Sequence, residues 1–191
     1  MTAVEVLVRL TGTDPWSFTV FDTLKRKFSL GELVAVTRMK SWQLSFGLEN
    51  AEDALDVVAR LLRDTALLAN PNKEVWSIRG ARQDSAGRNF WRKSPGSAEV
   101  FVVKVTDIDD IIGKSLLKVL RGRLGIREIA DARFSSVWVL ELSEGGPRSS
   151  AVAGDVAVSR SWRRGLLSNP HFQSAEIFKA EEYLPPSEDM V

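Results

Sequence analysis

With 191 residues, 44% of them hydrophobic and 27% charged, the chain can form packed cores, as one ordinary domain or two small ones. A formal net charge of +1 argues against a dedicated nucleic-acid or membrane-surface protein. The absence of cysteine excludes disulfides, thiolate catalysis and cysteine-based metal sites.

From the amino terminus, Val4, Val6, Val8 and Leu10 alternate with Glu5, Leu7 and Arg9, which predicts a half-buried strand. Gly12, Asp14 and Pro15 punctuate a loop, after which Val20, Phe21, Leu24 and Phe28 share one helical face. Leu33 to Val36 predicts a second strand, and Trp42, Leu44, Phe46 and Leu48 a third, alternating with small polar residues. Asn50 followed by Asp53 has the form of a helix start. Ala54, Leu55, Val58, Leu61 and Leu62 continue it as an apolar stripe toward Leu67-Leu68-Ala69-Asn70-Pro71, with a strand from Val75 to Ile78. Residues 81–98 read as a basic Gly/Ser/Pro linker in which Phe90 and Trp91 pack down.

The second half repeats this order. Val100 to Val105 is a continuous apolar run, predicting a strand covered on both faces. Ile112, Leu116, Val119 and Leu120 mark a helix, followed by strands at Ile129–Ala132 and Val137–Leu142. Ser149 or Ser150 is placed to cap a helix running toward Leu167, and Ala175 to Lys179 forms the last strand. The tail from Glu181, with Pro185 and Pro186, is expected to fray at its end.

The halves correspond residue by residue. Phe28, Leu33, Trp42, Leu44 and Phe46 stand 96 positions before Leu124, Ile129, Trp138, Leu140 and Leu142, and Leu67-Leu68-Ala69-Asn70-Pro71 stands 99 before Leu166-Leu167-Ser168-Asn169-Pro170. Two copies of about 80 residues are too few and too long for a solenoid, and domains that small are marginal alone. The expected fold class is therefore α+β, two tandem ferredoxin-like βαββαβ domains forming a pseudo-dimer. The domains span residues 1–80 and 99–184, with a tail over 185–191. Leu67 and Leu166 are expected as equivalent core residues at helix ends.

The strand Val4–Leu10, Asp14-Pro15, Arg38-Met39-Lys40 before a strand, and Leu67-Leu68-Ala69-Asn70-Pro71 followed by Glu74 together resemble the PurS subunit of bacterial phosphoribosylformylglycinamidine synthase. The match covers essentially the whole first half; in the second, Leu-Leu-Ser-Asn-Pro, the strand order and Arg133 carry it. Where the family pattern runs Arg-x-Gly-Lys, this chain has Arg38-Met39-Lys40. The resemblance implies a dimeric, non-catalytic accessory subunit that joins the synthetase and glutaminase subunits of the amidotransferase complex. It also implies partner binding through Arg38, Lys40 and Arg133.

The remaining motifs weigh toward plain roles. His171, the single histidine, follows Asn169-Pro170 in a turn and reads as a loop residue. Gly113-Lys114-Ser115 lacks the first glycine of a phosphate-binding loop, that position being Ile108. Asp107, Asp109 and Asp110 lack the glycine and terminal glutamate of a calcium loop, so a helix N-cap is the expected role. Arg88 to Lys93 interleaves cations with Phe90 and Trp91, a pattern read as an anchored linker rather than a single-strand binder. Arg160, Arg163 and Arg164 beside Trp162 read as a solvated helix face, and Trp42 and Trp138 as core. No catalytic, cofactor or metal residues are assigned.

The expected function is thus non-catalytic assembly in purine biosynthesis. A ligand-sensing regulator with a pocket between the copies is the main alternative, and a nucleic-acid module a weaker one. No membrane partner is expected: no apolar run reaches the roughly 18 residues of a span, the first residues lack a signal pattern, and the chain reads as cytoplasmic.

Overall fold

Short polar side chains start helices at Asn50 and Asp110, as expected, and also at Asp14. The helix expected to be capped by Ser149 or Ser150 instead begins at Pro147 and holds both serines inside it. In this computed structural model, which describes residues 2–47, 50–79, 83–84, 90–143, 147–157 and 166–184, Asp14, Asn50 and Asp110 each cap a helix by accepting from backbone N–H groups of its first turn. The first half comprises β1 (Thr2–Leu10), α1 (Pro15–Arg26), β2 (Leu33–Phe46), α2 (Ala51–Asp64) and β3 (Glu74–Ile78). The two-residue β4 (Gln83–Asp84) follows. The second half comprises β5 (Glu99–Asp107), α3 (Ile111–Gly122), β6 (Ile129–Leu142), α4 (Pro147–Ala157) and β7 (Gln173–Lys179), and α5 (Ala180–Tyr183) closes it. The fold is α+β. All strands join one antiparallel sheet in the order β4-β3-β1-β2-β6-β5-β7.

The expected βαββαβ order is corrected in both halves. The pairs of short strands at 33–36 and 42–48, and at 129–132 and 137–142, are each one unbroken strand of 14 residues. Nothing between them turns the chain: Thr37-Arg38-Met39-Lys40-Ser41 and Arg133-Phe134-Ser135-Ser136 contain neither glycine nor proline. Each half is therefore β-α-β-α-β.

These two long strands lie side by side, with Lys40 opposite Ser136. Lys40 and Ser136 are themselves 96 apart, the spacing that relates Trp42 to Trp138. The repeat meets itself at this pair, and each long strand sends one end into each side of the sheet. The helices cross with them. One core joins β1, β3 and α2 to Leu116 and Leu120 of α3 and to Ile129 and Ala132 of β6. The other joins β5, β6 and α4 to Val20 and Leu24 of α1 and to Leu33 of β2. Both cores lie on the face carrying the even-numbered residues of β2 and β6, and neither is made by one sequence half.

A third core covers the opposite face. Leu7, Met39, Val100, Val102, Val137 and Val139 pack beneath Phe90 and Trp91 of the linker and beneath Tyr183 and Leu184. The anchored linker and the doubly covered Val100–Val105 strand are as expected. One expectation is corrected by this layer: Glu5 and Leu7, on the odd face of β1, are buried, where a half-buried strand was expected. Tyr183 and Leu184 hold the chain beyond Glu181, and residues 185–191, where the tail is expected to fray, lie outside the described residues.

The Asn-Pro turns match closely. Asn70 C=O accepts from the N–H groups of Lys73 and Glu74, and Asn169 C=O from those of Phe172 and Gln173. Leu67 and Leu166 are equivalent but not core, being 37% and 38% exposed; Leu68 and Leu167 are the buried pair. The reason is that α2 already ends at Asp64, where Thr65 N–H and its hydroxyl both bond Leu61 C=O, so Leu67 lies in the turn beyond it. Among the described residues no helix is long and apolar enough to cross a membrane.

Candidate functional site

The site begins where β1 leaves β2. Their last paired residues are Val8 and Lys40. From Leu33 to Met39, β2 therefore has β6 on one side and no strand on the other. The loop after β1 turns aside to start α1. There Asp14 Oδ1 accepts from Trp16 N–H at 3.2 Å, while Oδ2 accepts from Ser17 N–H at 3.2 Å and the Ser17 hydroxyl at 2.8 Å. Pro15 suits this position because its missing N–H costs nothing in a first turn. The Ser17 oxygen in turn accepts from Arg38 N–H at 2.9 Å, so one serine ties α1 to the free edge of β2.

A cleft of about 380 Å³ remains between this loop, α1 and β2, with Arg9, Phe18, Phe21, Val36 and Arg38 among its walls. The Arg38 guanidinium lies between two indoles, 5.8 Å from the Trp16 ring centre and 5.6 Å from that of Trp138. Its Nε is buried without a hydrogen-bond partner among the described residues. A cation held over aromatic faces keeps its in-plane N–H groups available to a carboxylate. Arg9 is more committed: its Nε donates to Phe90 C=O and Nη1 donates to Leu10 C=O at 3.0 Å. Burial lowers the Arg9 pKa. Phe18 in the cleft wall is 64% exposed, and Trp16 beside Arg38 is 66% exposed.

The second half carries the counterpart of this corner in a closed form. Asp110, 96 residues after Asp14, caps α3 from the left-handed region (φ 36°, ψ 58°), a conformation aspartate tolerates better than most residues. Its Oδ1 accepts from Gly113 N–H at 2.9 Å, and its Oδ2 reaches Phe134 N–H directly at 3.0 Å. Gly113 occupies the place of Ser17. A Cβ there would come within 2.4 Å of Ala132 O and 2.9 Å of Arg133 Cα, so the helix rests on the β6 backbone. Phe134, the counterpart of Arg38, packs on Trp42 with ring centres 4.8 Å apart. Asp110 thus fulfils the N-cap expectation, while Asp107 accepts from Gln173 Nε2 at 2.7 Å.

The three residues expected to bind a partner do not come together. Arg38 and Lys40 share the helix-bearing face, but Lys40 Nζ is 2.5 Å from Glu74 Oε1, and Glu74 Oε2 accepts from Asn70 N–H at 2.8 Å. Lys40 therefore braces the Asn-Pro turn. Arg133 projects on the other face, where it pairs with Asp131 at 3.1 Å in solvent. His171 is exposed in its turn, as expected of a loop residue. Arg82, Arg88, Arg160, Trp162, Arg163 and Arg164 lie outside the described residues.

Sequence patterning did not reveal a buried charge cluster on the far face. Glu5 Oε1 accepts from Ser41 Oγ, Lys104 Nζ and Tyr183 OH at 2.6, 2.7 and 2.6 Å, and Oε2 accepts from Arg79 Nη1 at 2.9 Å. Burial alone would raise the Glu5 pKa, but the hydrogen bonds from Lys104, Ser41 and Tyr183 and the Lys104 charge hold it at about 2. Burial and the adjacent carboxylate push the Tyr183 phenol upward. Nor was Trp16 singled out, although a tryptophan in the first turn, off the Val20/Phe21/Leu24 stripe, is the signal that could have marked it. No family model and no curated protein matches the chain.

Proposed function

We propose that this chain is a non-catalytic assembly protein of the phosphoribosylformylglycinamidine synthase kind, an internal pseudo-dimer that joins a synthetase subunit to a glutaminase subunit. One observation carries the reading: the two sequence halves meet at Lys40 and Ser136 and exchange strand ends and helices around that pair. On this reading β3, β1, the end of β2 and the start of β6, with α2 and α3, form one ferredoxin-like unit. The counterpart elements, with α4 and α1, form the other. A single chain then reproduces an intertwined dimer, which supports the resemblance of Leu67–Pro71 and Arg38–Lys40 to that family. Its partner surface centres on Arg38, the member of the predicted set whose charge is not met by a carboxylate among the described residues.

Mixing the purified chain with both partner subunits and sizing the mixture by light scattering tests this. A ternary complex of defined stoichiometry is expected; three separate species at micromolar concentration would overturn it. The isolated chain should neither hydrolyse ATP nor release ammonia from glutamine. The ligand-sensing alternative draws on the cleft beside Arg38 and predicts instead that a small metabolite raises the melting temperature.

A further inference from the structure

The cleft beside Arg38 is a gap in the sheet, which limits what can fill it. Arg38 N–H points away from β6 and into Ser17. In an antiparallel strand the N–H and C=O of one residue point the same way, and residues two apart share that direction. The Ala35–Ser45 stretch of β2 pairs with β6 without a register shift, so Val36 turns its N–H and C=O into the cleft, as does Arg38 its C=O. Beyond Val8, β1 has swung away with Arg9 and Leu10 to pair with β3. An unpaired strand edge of this kind is a template for another strand. Here it is flanked by apolar side chains (Phe18, Phe21, Val36) and ends at a guanidinium with no acidic partner among the described residues.

We propose that the cleft receives an extended, carboxylate-bearing peptide segment of a partner protein, which pairs with β2 at Val36 and places its carboxylate on Arg38. This rests on the assembly reading and names the chemistry of its contact. Backbone pairing supplies affinity, and side chains falling on alternate faces supply selectivity. The apolar walls favour β-branched residues at alternate positions, and Arg38 fixes the direction and register of the incoming strand through a charge-assisted, in-plane pair. The corner at Asp110 could not do the same, because Gly113 seats α3 against the backbone of Ala132 and Arg133.

The test uses the full chain, labelled with nitrogen-15, and a pool of blocked hexapeptides that alternate valine and threonine around one glutamate. Amide shifts concentrated at residues 34–38 are expected, with few at 129–134. Arg38→Met should weaken the glutamate peptides at least about tenfold while leaving their glutamine analogues unchanged. Peptides N-methylated along one edge should lose binding. Shifts centred elsewhere, no binding, equal affinity for Arg38→Met, or full binding by N-methylated peptides would each overturn the proposal. So would acetate or succinate reproducing the same pattern and affinity, which would make the cleft a small-acid site. If edge pairing fails while the ternary complex still assembles, the strand contact is wrong and the assembly reading stands; if neither occurs, both fall.

Discussion

At the Asp14 corner a serine hydroxyl stands between helix and strand; at the Asp110 corner a glycine lets the capping aspartate reach the strand itself. The two corners occupy the same place in the repeat, and they differ at Ser17 against Gly113 and at Arg38 against Phe134. With Ser17, α1 stands off from β2, a cleft opens, and the cross-strand partner of Trp138 is a cation. With Gly113, α3 settles onto β6, and the partner of Trp42 is a phenylalanine. The two corners share a helix cap tied to a strand N–H and differ in whether the strand edge beside it stays open.

The largest effect should come from forcing the closed corner open. Gly113→Ser places a side chain against Ala132 O and Arg133 Cα, and because both are backbone atoms the cost should reach about 3 kcal/mol. Urea denaturation measures it; a loss near zero would mean the corner yields freely. Next comes a contrast on the far face, where Glu5 occupies the place that Val102 fills in the second half. A carboxylate whose pKa is about 2 in the folded chain and 4.5 when free stabilises the fold above pH 4.5 and loses that contribution as pH falls toward 2. The difference is worth roughly 3 kcal/mol. Denaturation midpoints measured across this window should fall steeply for the native chain and more gently for Glu5→Gln. Parallel slopes would remove Glu5 from the acid response.

Ser17→Gly, the reverse exchange, loses one hydroxyl bridge and adds a glycine to a helix, together about 1–2 kcal/mol. A loss matching that of Gly113→Ser would make the corners equivalent after all. The smallest effect on stability should be Arg38→Phe, which copies Phe134 and should stay within about 1 kcal/mol while abolishing capture of acidic peptides. A large destabilisation would instead make Arg38 a structural residue.

Much of this was legible in the sequence where one local rule decides. Caps at Asn50 and Asp110, the alternation of β1, the doubly buried Val100–Val105 and the turn at Asn70-Pro71 all follow from short-range chemistry. What failed was long-range. No local pattern tells whether 33–36 and 42–48 are two strands or one, because that depends on β6 pairing along the whole length. Nor does it tell that Glu5 faces a covering layer rather than water, since Tyr183 lies 178 residues away. Leu67 was mistaken for core because a stripe fixes the face of a helix but not its end; Thr65 ends it first. The site was half visible: Arg38 came from the family motif, whereas Trp16 and Ser17, which shape its surroundings, belong to a different element.

The central claim is that the two halves form one intertwined body, and the indoles of Trp42 and Trp138 report on its two helix-side cores separately. Their N–H resonances can be followed through a urea titration of the native chain. Because each core contains strands and a helix from both halves, the two should vanish at one midpoint with one slope. Separate midpoints, with one core persisting after the other has melted, would contradict the exchange of elements and the pseudo-dimer built on it.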